Sequence, residues 1–307
     1  MALTATRPGI SAPIEVVAAT PPSEPRPPRR RGYFVQSLAF TRTRIGLGLV
    51  GVVAAVAIFG TFLARHNTVQ FVGLDFSTPS RHLWAGTDYL GRDVMSRFLN
   101  GGHFILIMSL LGTILGVGSG TIVGLAAGYA GSRLDAIFMR LIDLLMCFPG
   151  LVLALLLITV IGGHPWVIVC VVGITFMPHV ARVVRTATIQ TRESDFVKYA
   201  EATGVPLRRI LVHEILPSVA APLTVEFGLK CTQAIALIAG LDFLGLGVGP
   251  PAADWGLMIQ ENQSGLVDNP MSIMLPVIAI VVLCIGANLI TDGIGHAIAG
   301  ADRKVDG

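Results

Sequence analysis

The sequence predicts an all-α membrane protein with six transmembrane helices and both termini on the cytosolic side. Three observations predict it. First, 53% of the 307 residues are hydrophobic and only 13% are charged, about half the charge of a soluble domain, and mean hydropathy is +0.72. Second, six apolar stretches approach or exceed the roughly 20 residues that cross about 30 Å of hydrocarbon: 45–63, 103–128, 135–161, 166–184, 218–241 and 271–291. Backbone polar groups in lipid must be satisfied within the segment, so each is a helix. Third, with the N-terminus inside, 17 Lys and Arg fall in cytosolic segments and four (Arg65, Arg81, Arg92, Arg97) in external ones, with Lys230 inside a span. That asymmetry sets an N-in, C-in orientation.

In chain order, residues 1–44 are rich in Pro and Arg and cannot bury a core. They predict a disordered cytosolic tail that orients the chain and touches anionic lipid heads. No apolar run precedes Ile45, so the segment is not a signal peptide. Span 45–63 leads into an external segment, 64–102. There, Leu83 to Arg97 reads as a turn at Gly86 and an amphipathic interfacial helix, with Trp84 and Tyr89 at headgroup level. Residues 103–295 form a five-helix core that includes a cytosolic loop, 186–217, and residues 296–307 form a short cytosolic tail.

Within the core, Gly112, Gly116, Gly120, Gly124 and Gly128 recur every four residues and strip one helix face of side chains. Such a face packs closely on another helix, or serves as a sliding surface during gating. Arg140 and Asp143, three residues apart in the third apolar stretch, predict an ion pair near its cytosolic end, with Asp143 as a pathway residue the alternative. Pro149 is expected to kink that helix. Glu226 and Lys230 stack at i,i+4 in the fifth span, either as a self-neutralising pair or as a pathway lining. Phe243 to Gly256 holds too many Gly and Pro for a regular helix.

Other chemistry is excluded or unsupported. Cys147, Cys170, Cys231 and Cys284 lie in or at apolar spans and read as packing residues rather than disulfides. The seven His show no ligand spacing, so no metal site is expected, and no phosphate-binding G-x-x-x-x-G-K-[ST] is present. No nucleophile with a base, and no nucleic-acid signal, appears.

The longest charged island between apolar stretches runs from Asp195 to Pro217. Apolar spacing through Ile210, Leu211, Ile215 and Leu216, broken at Gly204 and Pro206 and restarted at Pro217, predicts two short amphipathic helices. A solvated basic loop is the alternative. The stretch resembles the EAA loop of bacterial ABC-importer permeases. Gly204 falls on the motif Gly and Ala200 on its second Ala, while Lys198 and Tyr199 stand where the motif has Glu-Ala. A second stretch, Ala85-Gly86-Thr87-Asp88-Tyr89-Leu90-Gly91-Arg92-Asp93-Val94-Met95-Ser96-Arg97, is similar to the Leu-Gly-Thr-Asp-x-Leu-Gly-Arg-Asp-Val-x-Ser-Arg signature of the C-type permeases of dipeptide, oligopeptide and nickel importers. Arg140-x-x-Asp143 with Phe148-Pro149, Phe243-Leu244-Gly245-Leu246-Gly247 with Pro250-Pro251 and Trp255-Gly256, and Asn288-Leu289 with Asp292-Gly293 also resemble that family.

The resemblance implies a type I importer permease. Its coupling segment would comprise Lys198, Ala200, Glu201, Gly204, Val205, Pro206, Leu207, Arg208, Arg209 and Pro217. Pathway or gate candidates are Asp143, Glu226 and Lys230, from their charge inside apolar spans, and Phe243, Leu244 and Trp255, in the segment that resembles the family's external gate. Implied partners are a homologous B-type permease, two cytosolic ATPase subunits that hold ATP and Mg, an extracytoplasmic solute-binding protein and the lipid of the bacterial inner membrane. Cargo would be peptides or related solutes such as haem or nickel chelates. The chain itself would be non-catalytic and hold no cofactor. A reading from another class is a stand-alone carrier driven by an ion gradient through Asp143, Glu226 or Lys230, although no internal repeat accompanies it.

Overall fold

In the computed structural model, residues 37, 38 and 40–302 are described. The expectations for a disordered, lipid-touching tail over 1–36 and for 303–307 lie outside them. The elements are α1 (Thr41–Leu63), α2 (Val94–Ala130), α3 (Ser132–Met146), α4 (Gly150–Ile161), α5 (Pro165–Arg192), α6 (Asp195–Ala202), α7 (Leu207–Phe243), α8 (Trp255–Glu261) and α9 (Met271–Asp302). Among the described residues, extended pairing is confined to two isolated bridges, Phe71 with Arg92 and Thr87 with Asp93. Helices α1, α2, α5, α7 and α9 are each long and apolar enough to cross a membrane.

The glycine stripe fixes the arrangement. Gly112 faces Val172, Gly116 faces Phe176, Gly120 faces Val180, Gly124 faces Val184 and Gly128 faces Thr188, a constant offset of 60 residues. Helices α2 and α5 therefore run parallel, in register, over four turns. A Cβ on Gly120 would lie 2.7 Å from Val180 Cβ, and one on Gly124 only 2.6 Å from the Ala181 carbonyl. Backbones this close gain dispersion contacts that a larger side chain would forbid.

Parallel packing obliges the chain to return across the bundle between Ala130 and Pro165, and α3 with α4 make that return. The sequence predicts one kinked helix over 135–161. Instead the chain breaks at Cys147–Pro149 and turns through 87°. Pro149 is extended (ψ 134°) and has no N–H to continue the ladder, so α4 starts afresh after it. With this broken pair counted as one span, there are six crossings, and both described ends fall on one side. Phe40 and His296 approach there, ring to ring, at 6.4 Å. We call this the basic end and the opposite one the far end.

Several boundaries shift for physical reasons. Helix α2 begins at Val94, well before the expected 103, because Asp93 caps it by accepting from the Met95 and Ser96 N–H groups. The interfacial helix expected around Trp84 and Tyr89 is absent; residues 81–93 are turns and bends that include the bridge residues Thr87, Arg92 and Asp93. Helix α1 takes in Thr41 to Arg44 and α9 runs on to Asp302, so neither stretch belongs to a tail. Of the two short helices expected between spans, only α6 is separate. Leu207 to Ile215 continues into the fifth span through a wide π turn at Ile210–Ile215. That turn lies where the Pro217 ring would press on the carbonyl four residues back. Cys147 and Cys170 are exposed rather than packed.

The buried side chains form two clusters. In the far half, Ile105, Ile158, Ile168, Val172, Ile238, Trp255 and Leu283 join α2, α4, α5, α7, α8 and α9. In the basic half, Val117, Val180, Val184, Val197, Ala200, Ile210, Ile215 and Val219 join α2, α5, α6 and α7.

Replacing Gly120 or Gly124 by Leu should abolish folded protein, since overpacking of about 1–3 kcal/mol per site falls on backbone that cannot retreat. Gly118→Leu, which meets nothing within 4 Å, should be tolerated. Yield of monodisperse protein in detergent checks both.

Candidate functional site

At the basic end, α6 sits across the ends of α2 and α5. Its sequence splits by face. Val197 and Ala200 are buried, whereas Phe196, Lys198, Tyr199 and Glu201 are exposed, Tyr199 at 72%. The helix stops at Thr203 because Gly204 takes a left-handed conformation (φ +73°), and Pro206 then opens α7. Val205 is half-buried; Leu207, Arg208, Arg209 and Pro217 are exposed.

Polar contacts hold α6 from outside. Tyr129 Oη, at the end of α2, donates to Glu201 Oε1 at 2.6 Å. The Arg192 guanidinium lies 5.0 Å from the Tyr129 ring centroid and 4.0 Å from Glu201. Glu201, out of register with the family motif, is thus a tether to the membrane body. Lys198 and Glu201 also line a cavity of about 350 Å³ with Asp135, Arg192 and Glu193.

Asp143 does not pair with Arg140 as the sequence suggests. Arg182 on α5 donates to Asp143 Oδ1 at 2.5 Å, and Arg185 donates from Nε and Nη2 to both Asp135 oxygens at 2.5 Å. The guanidiniums of the neighbouring helix reach these carboxylates better than a same-helix residue can. Two ion pairs therefore strap α3 to α5. Glu226 and Lys230 do pair, at 3.4 Å, and Lys230 also donates to Gln233. Both are largely enclosed within this chain, as a self-neutralising pair is, and Lys230 lies 5.6 Å from the Phe176 ring centroid.

At the far end, residues 244–254 lack regular structure and α8 follows. Phe243 and Leu244 are exposed, but Trp255, read from sequence as a gate candidate, is fully buried. It lies against the Gly101 and Gly102 backbone and donates from Nε1 to the Phe98 carbonyl at 2.9 Å. A side chain so enclosed anchors the segment rather than lining a passage.

Beside it lies a charge cluster that sequence reasoning missed. Arg97 Nη1 donates to Asp88 at 2.6 Å and to Glu261 at 2.7 Å, and Arg92 donates to the same two carboxylates at 2.7 and 3.1 Å. All four side chains are nearly inaccessible. Two cations and two anions neutralise one another there, which lets them be buried. Tyr89 donates to Glu261, and burial, then the Glu261 charge, pushes its hydroxyl pKa up. The Tyr89 N–H donates to Asn262, and Asn269 donates to the Ala85 and Thr87 carbonyls. The Thr87-to-Arg97 motif is therefore sewn to α8 and the start of α9. The available signal was Glu261-Asn262 following Trp255, polar residues too close to a span to be idle.

Asp254 caps α8 through the Gly256 N–H at 2.9 Å, and both it and Asp242 at the end of α7 are buried. Burial raises the Asp254 pKa above its ordinary 3.8.

Two outcomes are expected. Tyr129→Phe should weaken α6 by about 1 kcal/mol, read as faster hydrogen exchange over 195–202 with exchange in α5 unchanged. For Asp254, a raised folded pKa means its contribution is complete below the unfolded value and is lost as pH rises through the folded one. Asp254→Asn keeps the acceptor for Gly256 but not the titration. It should flatten the fall of melting temperature as pH rises above the ordinary carboxylate range.

Comparison with known proteins covers most of the chain. Residues 120–301 match a family described as binding-protein-dependent transport system inner membrane component. The chain is similar to the glutathione transport system permease protein GsiD of Pectobacterium atrosepticum, 33% identical over 246 residues, 80% of this chain and 82% of that one. It is also similar to the dipeptide transport system permease protein DppC of Alkalihalophilus pseudofirmus, 31% identical over 255 residues, 83% of this chain and 84% of that one. The family match covers more than half the chain and takes in the glycine stripe from Gly120, the broken span and α6. With six crossings and such relatives, the chain belongs to the family of binding-protein-dependent transport system inner membrane components.

Proposed function

We propose that this chain is the C-type permease subunit of an ATP-driven importer that carries peptides or related solutes across the inner membrane. Two ATPase subunits, which hold ATP and Mg²⁺, dock at the basic end. A homologous B-type permease completes the passage, and a solute-binding protein delivers cargo at the far end. The chain contributes no catalytic residue. The names of the two relatives, a glutathione and a dipeptide system, favour short peptides as cargo. Family membership disfavours the stand-alone ion-coupled carrier.

The observation that carries the coupling role is the division of α6. Its inner face, Val197 and Ala200, shares a core with α2, α5 and α7. Its outer face, with Phe196 and Tyr199, and Leu207 beyond it present exposed apolar side chains at the basic end. A helix built this way transmits displacement into the bundle while offering a surface to a partner. Movement of the ATPases would carry α6 and the start of α7 as one body and tilt α5 and α7, in the hinge-and-shear manner.

Asp143 and Arg182 fit a passage lining. Arg182 lies about 25 Å along α5 from its far end, within the depth of the membrane, yet the pair is half-exposed on this chain. Lipid would not tolerate such a pair, so it faces a watery path or the second permease. Phe243 and Leu244, exposed at the far end, are the gate positions.

A single cysteine at Leu207 or Arg208, in the complex with its ATPase subunits, tests the coupling role. The expected result is a crosslink to an ATPase subunit whose yield changes when ATP is added. No crosslink in an intact complex would overturn it.

A further inference from the structure

At the far end, between α1 and α2, is a cavity of about 290 Å³ unconnected with the coupling helix or the charge cluster. Its lining comprises Leu63, Arg65, His82, Trp84, Met95 and Leu99, together with Asp93 and Ser96 at the cap of α2. We propose that it is a binding site for one phospholipid, with the phosphate diester on Arg65 and His82 and an acyl chain along Leu63, Met95 and Leu99.

Position argues for lipid first. Helix α1 has 23 residues, about 34 Å of rise, which matches the hydrocarbon thickness. Leu63 is its last residue. The Gly60 backbone packs on the Leu99 backbone, so the first turns of α2 lie at that same level. The cavity therefore sits where hydrocarbon gives way to headgroups. On its outer side Phe62 and Leu63 are 84% and 67% exposed, the face a membrane protein turns to lipid.

Charge argues next. The Arg65 guanidinium lies over the Trp84 ring, 4.3 Å from its centroid. Among the described residues it has no carboxylate or carbonyl acceptor. Its planar fork is thus oriented, with its donors left for a ligand, and that geometry suits a phosphate. The one carboxylate nearby does not compete for it. Asp93 already accepts from Ser96 Oγ at 2.5 Å and from the Met95 N–H at 3.2 Å, and its Oδ2 lies 3.2 Å from His66 Nδ1. A tryptophan at this depth is the usual companion of a headgroup. The lining sets the Arg65 guanidinium and the His82 ring above an apolar floor, with Asp93 engaged by its own donors, which favours the phosphate of a phospholipid such as phosphatidylglycerol. The site does not depend on the importer reading.

The test uses the full chain, purified with the subunits that accompany it and stripped of lipid by detergent exchange. Phosphatidylglycerol is titrated back and bound lipid is counted by native mass spectrometry. The expected result is one lipid per copy of this chain bound well above the background of annular lipid. The double variant Arg65→Gln, His82→Gln should lower that affinity by roughly ten-fold or more, the loss of charge-assisted hydrogen bonds. Arg65→Lys should recover part of it, and all forms should yield the same amount of assembled complex. Three results would overturn the proposal. One is equal lipid affinity in wild type and double variant. Another is displacement of the lipid by inorganic phosphate at comparable concentration, which would make this a free-anion site. The third is a crosslink from a cysteine at Leu63 to another protein subunit, which would mean that protein fills the cavity.

Discussion

The parallel contact between α2 and α5 is the constraint on which the rest of the molecule depends. Five glycines on one helix meet a line of Val, Phe and Thr side chains on the other at a fixed 60-residue offset. Two parallel neighbours cannot be joined by a short turn, so the chain must recross between them. The broken pair α3 and α4 is the form that return takes, with Pro149 making a sharp corner rather than a bend. Because α5 is held along its length, whatever is attached to its basic end moves with the bundle. What is attached there is α6.

The two ends of the bundle solve opposite electrostatic problems. At the far end, four charges are taken out of water together and cancel, with each carboxylate shared between two guanidiniums. This fixes the turn segment 81–93 and α8 against the mouth of α2 without leaving a net field. At the basic end, the ion pairs are left partly in water. Asp135–Arg185 and the Tyr129–Glu201–Arg192 group each join two elements across a surface. Pairs in water are individually weak and readily exchanged. Elements that must move relative to one another are better joined by them than by buried charges, whose separation would be prohibitive.

Much of the fold was legible because membrane spans announce themselves by length and apolarity, and the number of crossings follows from six such runs. The glycine stripe was legible as a face because spacing of four is a helical period, but its partner was not, since a side-chain-free surface carries no address. The corner at Pro149 was visible only as a kink, because Pro marks where a ladder fails and not how far the chain then turns. Asp143 was assigned to Arg140 because sequence shows neighbours along a helix; Arg182, 39 residues away, becomes a neighbour only in three dimensions. The far-end cluster was hidden for the same reason. Asp88, Arg92 and Arg97 looked like the polar face of a surface helix until Glu261 came to meet them. Trp255 reads as a gate residue because the segment around it resembles the family's external gate, and only the bare backbone at Gly101 and Gly102 explains why it turns inward.

The division of α6 into two faces has a consequence for how such a protein can diverge. The inward residues, Val197 and Ala200, answer to the bundle, and little but a small apolar side chain fits there. Of the outward ones, Tyr199 is 72% exposed, and Lys198 lines a cavity with Asp135, Arg192, Glu193 and Glu201. A change of size or charge at 199 falls mostly in solvent, so the outer face of this short helix can vary while its hold on the membrane body stays the same. Outer surface and architecture can thereby diverge separately, on residues that are adjacent in sequence.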